Sequence, residues 1–186
     1  MQETCWYIAV VTPNTERACE KKLIELFKND TSVDFDTYVP YQRELHEWPS
    51  TGKRKWVDRV LCPCYLFIRC SKEVRYTISC NAPFILHFVM DRARLNQFGK
   101  PDFAMIPSSQ MLSFQRMVGD AEMPVTIDSS RLRVGAKVRV KGGRLAGLEG
   151  YLVQEPKGKN KLAIRINMLG FASTEIPIEL LENVEE

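Results

Sequence analysis

The side chains best suited to chemistry in this chain are six cysteines, two histidines and a set of clustered lysines and arginines. Cys62-Pro63-Cys64 is the one close pair of thiols. Its C-x-C spacing is neither the redox C-x-x-C nor half of a zinc site. No histidine or acid stands beside either thiol to activate it, and His46 and His87 are far apart in the chain. No glycine-rich phosphate loop or carboxylate pair appears elsewhere. No catalytic residue, metal site or cofactor is therefore expected, and the chain does not read as an enzyme. Cys5, Cys64 and Cys70 in strand-like runs, and Cys19 on a helix face, read as small buried hydrophobes. The cations point to binding instead. Residues 1–130 hold 16 Lys/Arg against 16 Asp/Glu, residues 131–178 hold 10 against 3, and the last eight residues hold four Glu. A compact basic stretch fits a polyanion or an acidic partner surface. It fits a solvated, lysine-rich β-hairpin equally well.

These residues need elements to position them. A length of 186 residues leaves room for one large domain or two small ones, and 45% hydrophobic with 26% charged residues is ordinary for a globular chain. The longest apolar runs, such as residues 7–11, fall far short of the roughly 18 residues of a membrane helix. Residues 1–6 carry no basic n-region, so a soluble, cytoplasmic protein is expected, with no membrane partner. Residues 6–11 read as a strand. Thr12-Pro13-Asn14-Thr15 breaks it and caps a helix running to about Phe27, with Cys19, Leu23, Leu26 and Phe27 on one face. A second strand follows at 33–39, then a long hairpin tip at 42–55. Residues 56–70 read as one strand interrupted at Pro63. A short helix at 71–79, a strand at 85–90, a loop at 91–105 and a helix at 108–118 complete an α+β sandwich. Residues 120–130 hold three acids, no base and no periodicity, and read as a linker. The domains expected are thus 1–119 and 131–186, joined by 120–130.

The second domain changes character. Lys137 to Lys141 alternates, Gly142-Gly143 turns the chain, and strands follow at 150–154, 162–166 and 173–178, with a hairpin loop at 156–161. Short strands with glycine turns read as a small SH3-like β-barrel. Within it, residues 134–150 (Val-Gly-Ala-Lys-Val-Arg-Val-Lys-Gly-Gly-Arg-Leu-Ala-Gly-Leu-Glu-Gly) resemble the KOW motif. Val138 and Val140 would face the core, and Gly150 would permit close backbone approach.

Trp6-Tyr7-Ile8, the helix carrying Glu16 and Leu23, and residues 61–68 (Leu-Cys-Pro-Cys-Tyr-Leu-Phe-Ile) together resemble the NusG N-terminal, or NGN, domain. With a KOW barrel behind it, the resemblance to the NusG family spans residues 5–184. Housekeeping members typically carry Phe-Pro-Gly-Tyr where this chain has Cys62-Pro63-Cys64-Tyr65, and a Phe where it has Leu145. Those departures look more like specialised paralogues, nearest the UpxY-type antiterminators of capsular polysaccharide operons.

The resemblance implies a transcription elongation or antitermination factor that binds RNA polymerase and suppresses pausing or termination, chiefly through residues 1–119. Tyr7, Tyr65, Phe67, Phe88 and Ile106 would receive the β′ clamp helices; the polar tips of Tyr7 and Tyr65 favour the interface over the core, whereas Phe67 and Ile106 fit either equally well. Arg75, Tyr76 and Thr77 would meet the β gate loop. Arg17, Lys21, Lys53, Arg54 and Lys55 would touch non-template DNA, although a solvated loop tip accounts for 53–55 as well. The barrel would present Leu145, Met168, Leu169 and Phe171 to a small-subunit ribosomal protein or Rho, with Leu145 and Phe171 on exposed loops. The rival expectation is a ribosome-associated KOW protein binding RNA through residues 131–178. The barrel is expected as the resting state, loosely tethered.

Overall fold

The structure, a computed structural model, describes residues 4–49, 52–129, 134–154 and 158–184. Expectations that touch residues 1–3, 50–51, 130–133, 155–157 and 185–186, the Pro156-Lys157 part of a hairpin loop among them, lie outside the described residues. The contacts divide the chain into two compact units, residues 1–39 with 62–108, and residues 40–61 with 109–186. β1 (Cys5–Val10), α1 (Glu16–Leu26) and β2 (Phe35–Tyr38) open the first unit, and β3 (Tyr41–Glu47) with β4 (Arg54–Val60) belongs to the second. The chain returns to the first unit with β5 (Tyr65–Cys70), α2 (Lys72–Asn81), β6 (His87–Phe88), β7 (Met90–Leu95), β8 (Pro101–Phe103) and β9 (Met105–Ile106). α3 (Ser108–Asp120) leads into the rest of the second unit: β10 (Thr126–Asp128), β11 (Lys137–Val140), β12 (Glu149–Gln154), β13 (Asn160–Ile166), β14 (Gly170–Glu175) and β15 (Leu181–Asn183). The fold is mixed α+β.

In the first unit the sheet runs β2-β5-β1-β6, and β9 also pairs with β1. The run Trp6-Tyr7-Ile8-Ala9 is buried on both faces, as expected for an apolar central strand. β5 lies antiparallel along one edge of β1, from Cys5↔Cys70 to Val10↔Tyr65. The other edge takes β6 at Ala9↔Phe88 and β9 at Trp6↔Ile106. α1 starts where expected, but Thr15 does not cap it with its side chain: its hydroxyl donates to the Thr12 carbonyl at 2.7 Å. Cys19, Leu23 and Phe27 are buried, whereas Leu26, at the edge of that stripe, is exposed. α2 is capped by Ser71, whose Oγ accepts the Val74 N–H at 3.2 Å, and it buries Val74 and Ile78.

Four expectations change. Residues 56–70 are not one strand: β4 and β5 lie in separate sheets, divided at Cys62-Pro63-Cys64, where Cys64 has a φ of 69°. The 85–90 strand shrinks to β6, and the expected loop at 91–105 folds as the β7–β8 hairpin with β9 behind it. Asn96 makes that hairpin, its Oδ1 accepting the N–H groups of Phe98 at 2.9 Å and Lys100 at 3.1 Å. The 42–55 tip is mostly paired strand, with β3 and β4 in register from Tyr41↔Val60 to Glu47↔Arg54.

The second unit's larger sheet has the order β10-β14-β13-β12-β11-β15. Val138 and Val140 face its core. Gly150 is needed where expected: a Cβ there would lie 2.6 Å from the Ala163 carbonyl oxygen. The segment read as a linker carries β10, which pairs with β14 from Thr126↔Ser173 to Asp128↔Phe171. A three-residue edge strand is too short to show a period, and its pairing is entirely non-local. Val125 beside it is buried, its N–H donating to Gln42 Oε1 at 2.7 Å.

Candidate interaction surfaces

The sheet of the first unit sorts the expected docking residues by face. Directly opposed residues of paired strands point to the same side. Tyr7 and Ala9 share a side with Ile68, Leu66 and Phe88, whereas Trp6 and Ile8 share the other with Arg69, Phe67 and Ile106. Tyr65, opposite Val10, belongs to that second side. The five residues are therefore split, Tyr7 with Phe88 on one face and Tyr65, Phe67 and Ile106 on the other. Tyr7, Phe67, Phe88 and Ile106 are buried and Tyr65 is half-buried. Tyr7, expected at the interface for its polar tip, is 2% exposed, and burial pushes its pKa up to about 12.

The Tyr7 face carries a cluster that the sequence did not reveal. Tyr7 and Phe88 meet edge to face at 6.3 Å, and Phe88 meets Phe103 of β8 in the same way at 6.5 Å. The Arg75 guanidinium of α2 lies over all three rings, 3.4 Å from the Phe103 centroid, 5.5 Å from Tyr7 and 5.7 Å from Phe88. Its Nε is buried without a hydrogen-bond partner. The neighbouring thiol of Cys70 is pushed up to about 12 by burial and stays neutral. Of the other two residues expected at the gate loop, Tyr76 is 67% exposed, and Thr77 donates its hydroxyl to the Glu73 carbonyl at 3.1 Å. Arg75 thus stacks on its own unit rather than standing free beside them. Phe103 was missed because its strand exists only through the Asn96 turn.

Cys62-Pro63-Cys64 is held by a carboxylate. Glu16 is 3% exposed, and its Oε1 accepts the Cys64 N–H at 2.8 Å and the Asn14 N–H at 3.1 Å. It therefore closes the start of α1 and the turn before β5 together. Cys62 is buried and its thiol is pushed up to about 12. Cys19 and Cys70 are also buried, Cys5 and Cys64 are half-buried, and Cys80 is exposed. Among the described residues, no group of three or more His, Cys, Asp or Glu is placed to hold a metal ion, and no helix is long and apolar enough to cross a membrane.

The basic candidates occupy both units. Arg17 and Lys21 are exposed one turn apart on α1. Lys53, Arg54 and Lys55 are exposed at the β3–β4 hairpin, where Arg54 pairs with Glu47 at 2.7 Å. That hairpin also exposes Leu45 and Trp56 as a cross-strand pair, with Arg43 over the Trp56 ring at 5.7 Å. Much of the barrel's positive charge is answered locally: Lys137 and Arg139 pair with Glu149, Arg139 also reaches Glu182, and Lys159 pairs with Glu175.

The expected partner surface of the barrel is divided by depth. Met168 is exposed and Phe171, on β14 rather than a loop, is half-buried, whereas Leu145 and Leu169 are buried. Leu145 was expected to be exposed. Instead the turn folds back through Gly147 N–H to the Val140 carbonyl at 2.8 Å, and Leu145 lines a cavity of about 220 Å³ with Met123, Ile176 and Leu180. α3 grips the same loops. Gln110 accepts the Asn167 N–H at 2.8 Å and donates to Asn167 Oδ1 at 3.3 Å. Arg116 donates to the carbonyls of Ala146 at 2.9 Å and Arg144 at 3.4 Å. The contacts lie within the second unit and were invisible in sequence, because single polar side chains on a helix carry no signal of a distant acceptor.

The profile of the family described as "Transcription termination factor nusG" matches residues 4–115. The transcription termination/antitermination protein NusG of Halalkalibacterium halodurans is 25% identical over 182 residues, covering 96% of this chain and 95% of that protein. A solved structure titled "Domain interaction in Thermotoga maritima NusG" superposes with a TM-score of 0.51 at 16% identity, covering 98% of each chain, and so shares the fold. The matched residues take in every element of the first unit, including the sheet and the Glu16-bound turn. The chain belongs to the NusG family, whose members are transcription termination and antitermination factors rather than enzymes.

Proposed function

We propose that the protein binds RNA polymerase through residues 1–119, joined by 120–130 to a KOW domain at 131–186, and prolongs transcription by suppressing pausing or termination. The observation that carries this reading is the family match over residues 4–115, with a NusG relative aligned and its fold shared across nearly the whole chain. A factor that binds one of two polymerase conformations more tightly shifts the population toward it, which is how a non-enzyme lengthens transcripts. Within the first unit, Tyr65 is the anchor best placed for the β′ clamp helices, since it is half-buried where Tyr7, Phe67, Phe88 and Ile106 are buried. Tyr76 is the exposed residue for the β gate loop. Arg17 and Lys21, with the hairpin cations, suit the non-template strand, where Trp56 would add stacking. Met168 and Phe171 offer the barrel's accessible apolar surface to a small-subunit ribosomal protein or Rho. The specialised, UpxY-like role on capsular polysaccharide or similar operons rests on Cys64 standing where housekeeping relatives carry glycine.

The test is a paused-elongation assay with the full chain, in which pause lifetimes should shorten. The Tyr65→Ala protein should bind polymerase about 30-fold more weakly, as for a hot spot of about 2 kcal/mol. Unchanged pausing, or unchanged affinity of a folded variant, refutes the corresponding step. Mapping polymerase-bound chromatin separates an operon-specific factor from a general one.

A further inference from the structure

We propose that the tip of the β7–β8 hairpin is a binding site for an unpaired nucleic-acid strand, in which Phe98 stacks on a base and Arg92 and Lys100 meet the flanking phosphates. The site is separate from the basic residues of α1 and of the β3–β4 hairpin, and it does not depend on the polymerase-binding reading.

Phe98 is 76% exposed, the most exposed of the large apolar side chains among the described residues, and Leu95 at the same turn is 61% exposed. The turn holds that ring in place. Asn96 Oδ1 accepts the N–H groups of Phe98 at 2.9 Å and Lys100 at 3.1 Å. The Asn96 N–H donates to the Lys100 carbonyl at 2.8 Å, and the Gly99 N–H donates to the Asn96 carbonyl at 2.9 Å. Asp91 faces Asp102 and Leu95 faces Pro101, so Arg92, Ala93 and Arg94 bulge from β7 with no partner on β8. Such a bulge re-aims the side chains it carries. The acids of the hairpin are engaged within it. Asp91 Oδ1 accepts the Ala93 N–H at 2.9 Å, and Asp102 accepts the Phe103 N–H at 2.8 Å and pairs with Arg94 at 3.5 Å. Arg92 and Lys100 are exposed and, among the described residues, form no ion pair.

The tip thus presents an open aromatic ring between two uncompensated cations. An unpaired strand suits both features, because every base has a face to stack on the ring and the backbone brings phosphates to the cations. A duplex keeps those faces inside its own stack, so the ring selects single strands. The turn already fixes the ring, so little freedom is lost when a base arrives. Size argues against a protein partner. A stable protein interface covers about 800 Å² on each side, whereas this tip offers one ring, Leu95 and two long cations on a narrow two-stranded ribbon.

Fluorescence anisotropy of the full chain with labelled oligo-dT and oligo-rU of about 12 nucleotides, over a range of salt concentrations, tests this. Phe98→Ala should weaken binding by about 10-fold, with the salt dependence kept and the melting temperature unchanged. Arg92→Gln and Lys100→Gln should each flatten the salt dependence, by about 0.7 in the log–log slope. Phe98→Trp should keep the affinity, and its added indole emission should be quenched on binding, as stacking requires. A dT·dA duplex should bind more weakly and be indifferent to Phe98→Ala. A preference for either oligomer that Phe98→Ala removes supports the site and identifies the strand as DNA or RNA. Wild-type affinity in Phe98→Ala, or no binding by the wild type, overturns the site. Loss of RNA polymerase affinity in Phe98→Ala, with oligonucleotide binding intact, makes the tip a protein contact and overturns the nucleic-acid site as well. The oligonucleotide results leave docking through Tyr65 untouched, since polymerase takes no part in them.

Discussion

Removing the Glu16 carboxylate should loosen the turn that joins the two halves of the first unit's sequence. Glu16 is 3% exposed, and a single oxygen, Oε1, receives two backbone N–H groups, from Cys64 at 2.8 Å and Asn14 at 3.1 Å. A hydrogen bond to a charged group is worth about 1.5–3 kcal/mol, and a buried donor left unpaired loses most of that. Cys64 is half-buried, so its stranded N–H should cost about 2 kcal/mol. Asn14 is exposed and can turn to water, which holds its share to about 0.5 kcal/mol. The charge also sits in the first turn of α1, where the helix dipole adds about 0.5 kcal/mol. Glu16→Ala should therefore cost about 3 kcal/mol. With a urea dependence of about 2 kcal/mol per molar, the midpoint falls by about 1.5 M. Glu16→Gln keeps an acceptor oxygen and should lose about 1 kcal/mol, or about 0.5 M. Urea unfolding gives the midpoints, and amide exchange at Cys64 gives the local effect. A Glu16→Ala midpoint within about 0.3 M of the wild type, or unaltered exchange at Cys64, would refute the reasoning.

Cys64 holds a φ of 69°, where a side chain costs about 1–2 kcal/mol. Cys64→Gly relieves that strain but frees the unfolded chain, for a net gain of about 0.5 kcal/mol, while β-branched Cys64→Val should lose more than about 1 kcal/mol; thermal melts of the two should move in opposite directions. Gly150→Ala places a Cβ 2.6 Å from the Ala163 oxygen and 2.9 Å from Leu162 Cδ1, forcing β12 and β13 apart. It should cost about 2 kcal/mol in chemical unfolding, whereas Gly119→Ala, with open space around it, should not destabilise. Tyr7 keeps its proton to about 12 in the folded protein against 10.0 ordinarily. Below pH 10 both states are neutral there and the group contributes no pH dependence. As pH rises from 10 toward 12 the unfolded chain ionises first, so stability falls; tyrosinate absorbance should show one late-titrating tyrosine, and Tyr7→Phe should remove that part of the alkaline loss.

Local signals in the sequence carried the regular elements. The apolar run at 6–11, the helix stripe of Cys19 and Leu23, Ser71 before α2, and the alternation of Val138 and Val140 each announce an element through contacts a few residues apart. They suffice because an element's period is a property of the chain itself. Gly150 could be read the same way, from the spacing of its motif. The rest depended on partners distant in sequence. β10 is a strand only because β14 lies beside it, and Phe103 reaches Arg75 only because the Asn96 turn folds β8 back on β7. Which face of the sheet Tyr7, Phe67 and Ile106 occupy follows from strand register, since each one-residue step along a strand reverses the side. Sequence identified these as apolar residues of one domain, but only register could separate Tyr7 and Phe88 from Tyr65, Phe67 and Ile106. Exposure was likewise a tertiary outcome: Leu145, on a glycine-rich turn, is buried because that turn folds back onto β11. Arg75 was read in sequence as a contact for the β gate loop. Three rings brought together from β1, β6 and β8 make it a stacked cation instead.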